Sequence, residues 1–133
     1  METLNNISGR IIKGAIEVHK HLGPGLLEST YEGCLLQELL DSGLRVQSQV
    51  PFPVKYKGKS IDIGYRVDLL VEDLVVVELK SVERLLPIHS AQILTYLKLS
   101  GLKLGLLINF NTLRIKEGIQ RFINSKADRN QAF

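Results

Sequence analysis

VDLLVEDLVVVELK, from Val67 to Lys80, sets two apolar runs on either side of Glu72 and Asp73 and carries charges where a buried strand should have none. Val67, Leu69 and Val71 alternate along the first run, and Val75, Val77 and Leu79 along the second. Two neighbouring strands bury such sets by stacking them on one face, which places Val71 opposite Val75 and Leu69 opposite Val77. That register requires a three-residue or bulged turn over Glu72 to Leu74, because a two-residue turn would send Glu78 to the other face. It predicts Asp68 directly opposite Glu78, with Lys80 two residues on and sharing its face. Leu70, Leu74 and Val76 make this second face apolar too, so a helix is expected to cover it.

Burying a carboxylate or an ammonium costs several kcal/mol unless it is paired or bound to a metal. Facing carboxylates about 5 Å apart repel unless a proton or a divalent cation lies between them, and hard oxygen ligands suit Mg²⁺ or Mn²⁺. Spacing alone leaves two readings open. Glu78 and Lys80 form salt bridges at a sheet edge, or Asp68 and Glu78 share a cation with Lys80 beside it.

Outward from this hairpin, the period changes. Ile7, Ile11, Ala15, Val18 and Leu22 keep helical spacing over Asn5 to Leu22, and "GPG" at Gly23 to Gly25 stops that helix. A second helix is predicted from Leu26 to Asp41, with Leu27, Tyr31, Cys34, Leu35 and Leu39 towards a core and Gly43 after its end. "RVQSQVPFPVKY" then alternates as a strand, with a turn at "KGKS" before "IDIGYRVDLLV". "PIHSAQILTYLKLSG" reads as a helix with Pro87 in its first turn and Gly101 at its end, "KLGLLINF" as a buried strand, and "RIKEGIQRFI" as a last strand, with a helix as the alternative. The order αα-βββ-α-β with a further C-terminal strand predicts an α/β chain of the α+β sandwich type. One domain over residues 1–124 and a polar tail over 125–133 are expected.

A chain of 133 residues with 44% hydrophobic content has enough material for one core. Its apolar runs are far shorter than the roughly 20 residues that span a bilayer, and its N-terminus lacks a signal-peptide apolar region, so a soluble, cytoplasmic protein without membrane contact is expected. Cys34 is the single cysteine, which excludes an internal disulfide and a cysteine zinc cluster. The net charge of +3 permits a polyanionic partner without requiring one. Lys55, Lys57 and Lys59 alternate through "VKYKGKS"; a solvated surface is the simpler account of them, and contact with phosphates the alternative.

Asp68, a gap of nine residues, then Glu78-Leu79-Lys80 inside a βββαβ order resembles the PD-(D/E)XK nuclease superfamily, with Val67 where the motif's proline usually stands. "GLLESTY", with Gly25, Glu28 and Tyr31, resembles the pattern that names the GxxExxY family, a small-protein branch of that superfamily. "QILTY", with Gln92 and Tyr96, resembles the QxxxY motif of recombination-repair exonucleases. The resemblance implies a restriction-endonuclease-like core and Mg²⁺- or Mn²⁺-dependent cleavage of phosphodiester bonds, in DNA rather than RNA. It implies a metal held by Asp68, Glu78, the Leu79 backbone carbonyl and Glu28, with Lys80 positioning the attacking water. Gln92, Tyr96 and Tyr31 would position substrate, and Lys55 and Lys57 would touch phosphates.

The residues also carry plainer readings. Glu28 lies in a helix's first turn, where the dipole favours a carboxylate, and Tyr31 suits a core. Gln92 and Tyr96 stack one turn apart with His89 on the same stripe, while Ala91, Leu94 and Leu97 are expected to face the core. His19 and His21 complement the negative end of the first helix. A binding or interaction module that keeps the nuclease fold without turnover is the alternative function, and a glycosidase using Glu28 and Glu32 as paired acids is a third. The small surface outside the core is compatible with a homodimer or a protein partner.

Overall fold

The structure is a computed structural model that describes residues 2–125. The polar tail expected from residue 125 therefore lies, beyond its first residue, outside the described residues. Two helices come first, α1 (Glu2–Leu22) and α2 (Glu28–Asp41). α1 buries Ile7, Ile11, Ala15 and Val18, the stripe its spacing predicts, whereas Leu22 at its end is exposed. α2 buries Tyr31, Leu35 and Leu39, and Cys34 is half-buried. Leu27 is 73% exposed rather than in the core, because it is the extended residue that precedes α2 and not part of its inward face.

Period-two alternation then produces β1 (Val46–Tyr56), β2 (Lys59–Val71) and β3 (Val75–Lys80) as an antiparallel meander. Helix α3 (Pro87–Ser100) crosses over to β4 (Leu104–Asn109), which runs parallel to β3. The final segment divides into a 3-10 turn at Ile115–Gly118 and a strand, β5 (Ile119–Ile123), antiparallel to β4. The five-stranded sheet has the order β1-β2-β3-β4-β5. It is the mixed α+β sandwich that the sequence predicts. β3 and β4 lie at its centre and are buried almost throughout, as near-continuous apolar runs require. No helix among the described residues is long and apolar enough to cross a membrane.

Each face of the sheet has its own core. α1 and α2 pack on Leu69, Val71, Val75, Val77 and Leu79, and α3 packs on Leu70, Val76 and Leu107 from the other side. α3 uses Ile93 and Leu97 for this contact, so the expected stripe is corrected: Ala91 is exposed and Leu94 is 45% exposed. Apolar residues surround most of α3, so spacing selects no single face. Gly105 of β4 does, because a Cβ there would lie 2.9 Å from Ile93 Cδ1, and its absence lets this face of α3 settle onto the sheet. Leu74 is also exposed, since it belongs to the three-residue turn and not to the apolar face.

Val67 departs from the alternation as well. It packs in the α3 core with Tyr65, Val50 and Phe52, while Leu69 and Val46 pack in the α1/α2 core. Both β1 and β2 thus change sides between Val67 and Leu69, beside Gln49, whose φ of 53° breaks the regular strand conformation. Asp68 sits at that crossover.

Beyond Phe52 the β1–β2 hairpin leaves the sheet as an arm. Phe52 pairs with Tyr65 and Val54 with Ile61, so Pro53 alone faces residues 62–64 and the hairpin bends. Gly64 makes the bend possible, because a Cβ at this position would meet the Phe52 carbonyl oxygen at 2.1 Å. That neighbour is backbone and yields only if the hairpin opens. Gly64→Ala should therefore lower the stability measured by urea unfolding by about 1–3 kcal/mol, the usual cost of overpacking; an unchanged midpoint would show that the bulge relaxes freely.

Candidate active site

The turn over Glu72 to Leu74 places Val71 opposite Val75, Leu70 opposite Val76 and Leu69 opposite Val77, the register expected from apolar matching. Glu72 and Asp73 both adopt positive φ (55° and 54°), and the Leu74 N–H donates to the Val71 carbonyl at 3.0 Å. One step further along, side chains replace the backbone ladder. The Asp68 N–H donates to Glu78 Oε1 at 3.0 Å, and the Leu79 N–H donates to Asp68 Oδ2 at 2.8 Å. The two carboxylates therefore meet where the strands part. Because N–H and C=O of one strand residue face the same neighbour, the Leu79 carbonyl opens towards Asp68 too.

Glu78 is only 4% exposed. Burial, and after it the charge of Asp68, push its carboxyl up from 4.5 to about 8, against the opposing pull of the Asp68 N–H and of Lys80. Lys80 is half-buried at the end of β3, and its carbonyl accepts from the Phe110 N–H at 2.9 Å. The next residues are pinned by Asn109, which is 2% exposed, faces Lys80 across the sheet, and binds the Val82 N–H at 3.1 Å and carbonyl at 2.9 Å.

α2 approaches this end of β3 with its N-terminus. Glu28, its first residue, accepts from the Ser81 N–H at 3.4 Å, and Ser81 Oγ donates to the Leu26 carbonyl at 2.5 Å. Tyr31 is 0% exposed, so direct contact with substrate is corrected to an anchoring role. Its ring stacks on Phe110 with centroids 4.5 Å apart, its hydroxyl donates to the Gly23 carbonyl, and the Leu26 N–H donates to that hydroxyl. The loop that leads to Glu28 is thereby tied to the core, with the ring pair contributing about 0.5–1.5 kcal/mol beyond its burial.

Glu32 is the residue that sequence reasoning placed elsewhere. Gln49 Nε2 donates to Glu32 Oε1 at 2.7 Å and to Asp68 Oδ1 at 3.2 Å, so one amide ties helix α2 to strand β2. Partial burial, and then the charges of Asp68 and Glu28, raise the Glu32 carboxyl above its usual range. Its position one helical turn after Glu28 was a signal, but for paired acids rather than for a partner of Asp68. Nothing in the sequence announces Gln49.

α3 closes the other side. Gln92 Nε2 donates to Tyr96 Oη at 2.9 Å, and the Tyr96 phenol is raised by burial and by the charge of Glu78, with Asp68 adding less. This stripe therefore does face the carboxylate pair. Tyr96 stacks on Tyr65 (4.5 Å), and Tyr65 on Phe52 (5.3 Å), a ladder of rings running from the site to the root of the arm. His89 instead binds the Leu86 N–H through Nδ1 at 3.0 Å and caps α3. At the end of α1, His19 reaches the Thr112 carbonyl at 2.8 Å and His21 pairs with Glu17. Lys55 and Lys57 lie on the arm beyond the bulge, away from the carboxylates.

Among the described residues no group of three or more His, Cys, Asp or Glu side chains is placed to hold a metal ion, and Asp68 and Glu78 each accept from a backbone amide. The donor chemistry nevertheless fits a hard divalent cation. It comprises carboxylates and a carbonyl with no thiol or imidazole, and a buried Glu78 whose carboxyl is pushed up to about 8 by burial and by the charge of Asp68.

The sequence model of the PD-(D/E)XK nuclease superfamily matches residues 5–122, and the chain belongs to that superfamily. No curated protein matches it. Among solved structures it is similar to the crystal structure of SSO0001, with 23% identity and a TM-score of 0.42 over 72% of this chain; the match covers 51% of that protein, so this chain spans about half its length. Members of the superfamily are generally nucleases and typically use divalent metals.

The raised Glu78 carboxyl has a measurable consequence. Between about pH 4.5 and 8 the unfolded chain loses this proton while the folded chain retains it, so without metal stability should fall as pH rises, by up to about 1.4 kcal/mol per unit, and level off above pH 8. Glu78→Gln should remove this component of the slope in chemical denaturation with EDTA present. A wild type and a Glu78→Gln variant with identical pH dependence would place the Glu78 proton elsewhere.

Proposed function

We propose that this chain is a Mg²⁺- or Mn²⁺-dependent nuclease of the GxxExxY branch, acting in the cytoplasm on phosphodiester bonds in DNA rather than RNA. The observation that carries this reading is the placement of Asp68 against a buried Glu78 whose carboxyl is pushed up to about 8, at the point where β2 and β3 part. Burial beside Asp68 opposes ionisation of Glu78, an arrangement that is reasonable where a cation is to be bound.

Asp68, Glu78 and the Leu79 carbonyl would hold the metal, with Glu28 joining directly or through water after both central carboxylates release their amide partners. When bound, the cation supplies Lewis-acid polarisation of the phosphate and a more acidic water. Lys80 orients that attacking water and meets negative charge developing on the phosphoryl oxygens. The water oxygen would form the new P–O bond, giving up its proton to solvent, as the bond to the leaving oxygen breaks and that oxygen takes a proton from solvent. Gln92 and Tyr96 position the substrate from α3, while Tyr31 acts indirectly by fixing the loop before Glu28. A homodimer or a protein partner would enlarge the small surface available for choosing substrates.

The second reading is a nucleic-acid-binding or interaction module without turnover. It is favoured by the engagement of Asp68 and Glu78 with backbone amides. Incubation with linear and circular DNA and with RNA, in Mg²⁺ or Mn²⁺ against EDTA, separates the two. Asp68→Ala and Glu78→Ala should abolish cleavage and leave folded proteins that melt no lower than wild type in EDTA. A wild type that binds DNA, cleaves nothing and gains no melting temperature from Mg²⁺ would leave the module.

Lys80 and the α3 pair should fail in different ways. Lys80→Ala is expected to lower kcat and kcat/KM together by about 10²–10³-fold with little change in substrate Kd, the signature of a group that acts in the transition state. Gln92→Ala or Tyr96→Phe should lose affinity in the ground state. Full cleavage by Lys80→Ala at saturating substrate would remove Lys80 from the chemistry.

A further inference from the structure

Beyond its root at Phe52 and Tyr65, no described residue of the β1–β2 arm belongs to either core, and the nuclease reading does not require the arm. Val54 pairs with Ile61, Lys55 with Ser60 and Tyr56 with Lys59, and the tip turns at Lys57 and Gly58, both at positive φ (50° and 80°). Apart from a half-buried Val54, its residues from Pro53 to Ser60 are exposed, and Tyr56 remains 61% exposed with Lys57 Nζ 5.4 Å from its ring centre. Residues 53–64 hold three lysines against one aspartate, in a chain whose whole net charge is +3.

The placement of those lysines selects a partner. Lys55 faces a cleft of about 390 Å³ between the arm and α3, whose opposite wall carries Lys98. Lys59 pairs with Tyr56, the neighbour of Lys55 along β1, so it projects from the other side of the ribbon, and Lys57 occupies the tip. A ribbon lying along one strand of nucleic acid would need lysines on one side only. Positive charge on both sides fits a ribbon set between two phosphate backbones, and the major groove of B-form DNA, about 12 Å wide, admits a two-stranded ribbon. The deep, narrow major groove of A-form RNA does not.

The root of the arm is held firmly with respect to the carboxylates. Phe52 and Tyr65 flank the bulge and stack through to Tyr96, and the Tyr65 hydroxyl donates to the Tyr96 carbonyl at 3.2 Å. From Gln49, which binds Asp68, to Tyr56 the strand covers about 23 Å at roughly 3.3 Å per residue, a length of about seven base-pair steps. β1 is also an edge strand, and Pro51 and Pro53 remove two of its N–H donors, which opposes addition of a partner's strand there.

From this we infer that the β1–β2 arm is a duplex-DNA grip: it enters the major groove to one side of the cleaved bond, with Lys55 and Lys98 on one backbone and Lys57 and Lys59 on the other. The inference rests on the nucleic-acid reading above and specifies B-form duplex as the substrate form.

The test measures binding rather than turnover. Fluorescence anisotropy in EDTA would compare the wild type with a variant carrying Lys55→Ser, Lys57→Ser and Lys59→Ser, using a mixed-sequence DNA duplex of about two helical turns, one of its strands alone, and the same sequence as an RNA duplex. A thermal melt checks that the exposed substitutions leave the fold intact. On duplex DNA the slope of log K against log salt should flatten by about 0.9 for each lost phosphate contact, and affinity should fall about tenfold or more. Binding to the single strand and to RNA should change little. An unchanged slope on duplex DNA would overturn the grip, as would an equal loss on the single strand. A wild type that binds duplex DNA through these lysines yet cleaves nothing in Mg²⁺ leaves the grip standing and overturns only the nuclease reading.

Discussion

A carboxylate that is 4% exposed and faces a second carboxylate is the constraint around which this molecule is arranged. Raising Glu78 from 4.5 to about 8 corresponds to something near 5 kcal/mol of opposition to its charged form, comparable with the net stability of a small domain. The same strand supplies the counterweight. Val75, Val76, Val77 and Leu79 are fully buried, and each contributes about 1.5–3 kcal/mol by leaving water. β3 tolerates its acid because the rest of it is core, and it ends at the half-buried Lys80.

Two layers that never touch the strand in sequence complete the environment of that acid. α2 brings Glu28 and Glu32 to the side of Asp68, and α3 brings Gln92 and Tyr96 to the side of Glu78. Their placement depends on packing far from any charge. Tyr31 on Phe110 fixes the entry to α2, and the bare backbone at Gly105 fixes the seat of α3. Asn109 does the same for the segment leaving β3, which it holds at Val82.

The parting of β2 from β3 also explains why the sheet carries an arm. β3 stops pairing with β2 at Leu69, yet β2 and β1 continue together to the tip at Lys57 and Gly58. The change of sides at Gln49 and Asp68 directs their lower halves to the α1/α2 core and their upper halves towards α3. One irregularity in the backbone therefore frees Asp68 from the ladder and sets the direction of the arm.

The sequence by itself determined the order of elements, the register of β2 on β3, and the meeting of Asp68 with Glu78. Each is a short-range matter: helical and strand periods differ, and a one-residue slip would have turned a whole row of valines and leucines to the opposite face. The motif residues Glu28, Lys80, Gln92 and Tyr96 could be placed on their elements for the same reason. Only the tertiary structure decided which face of α3 is inward, that Val67 leaves the row of Leu69, that Tyr31 serves the loop before Glu28, and that Glu32 and Gln49 join Asp68. Those outcomes turn on which surface lies opposite: a missing Cβ at Gly105, a positive φ at Gln49, an aromatic ring at Phe110. Such neighbours are distant in the chain, and no local period records them.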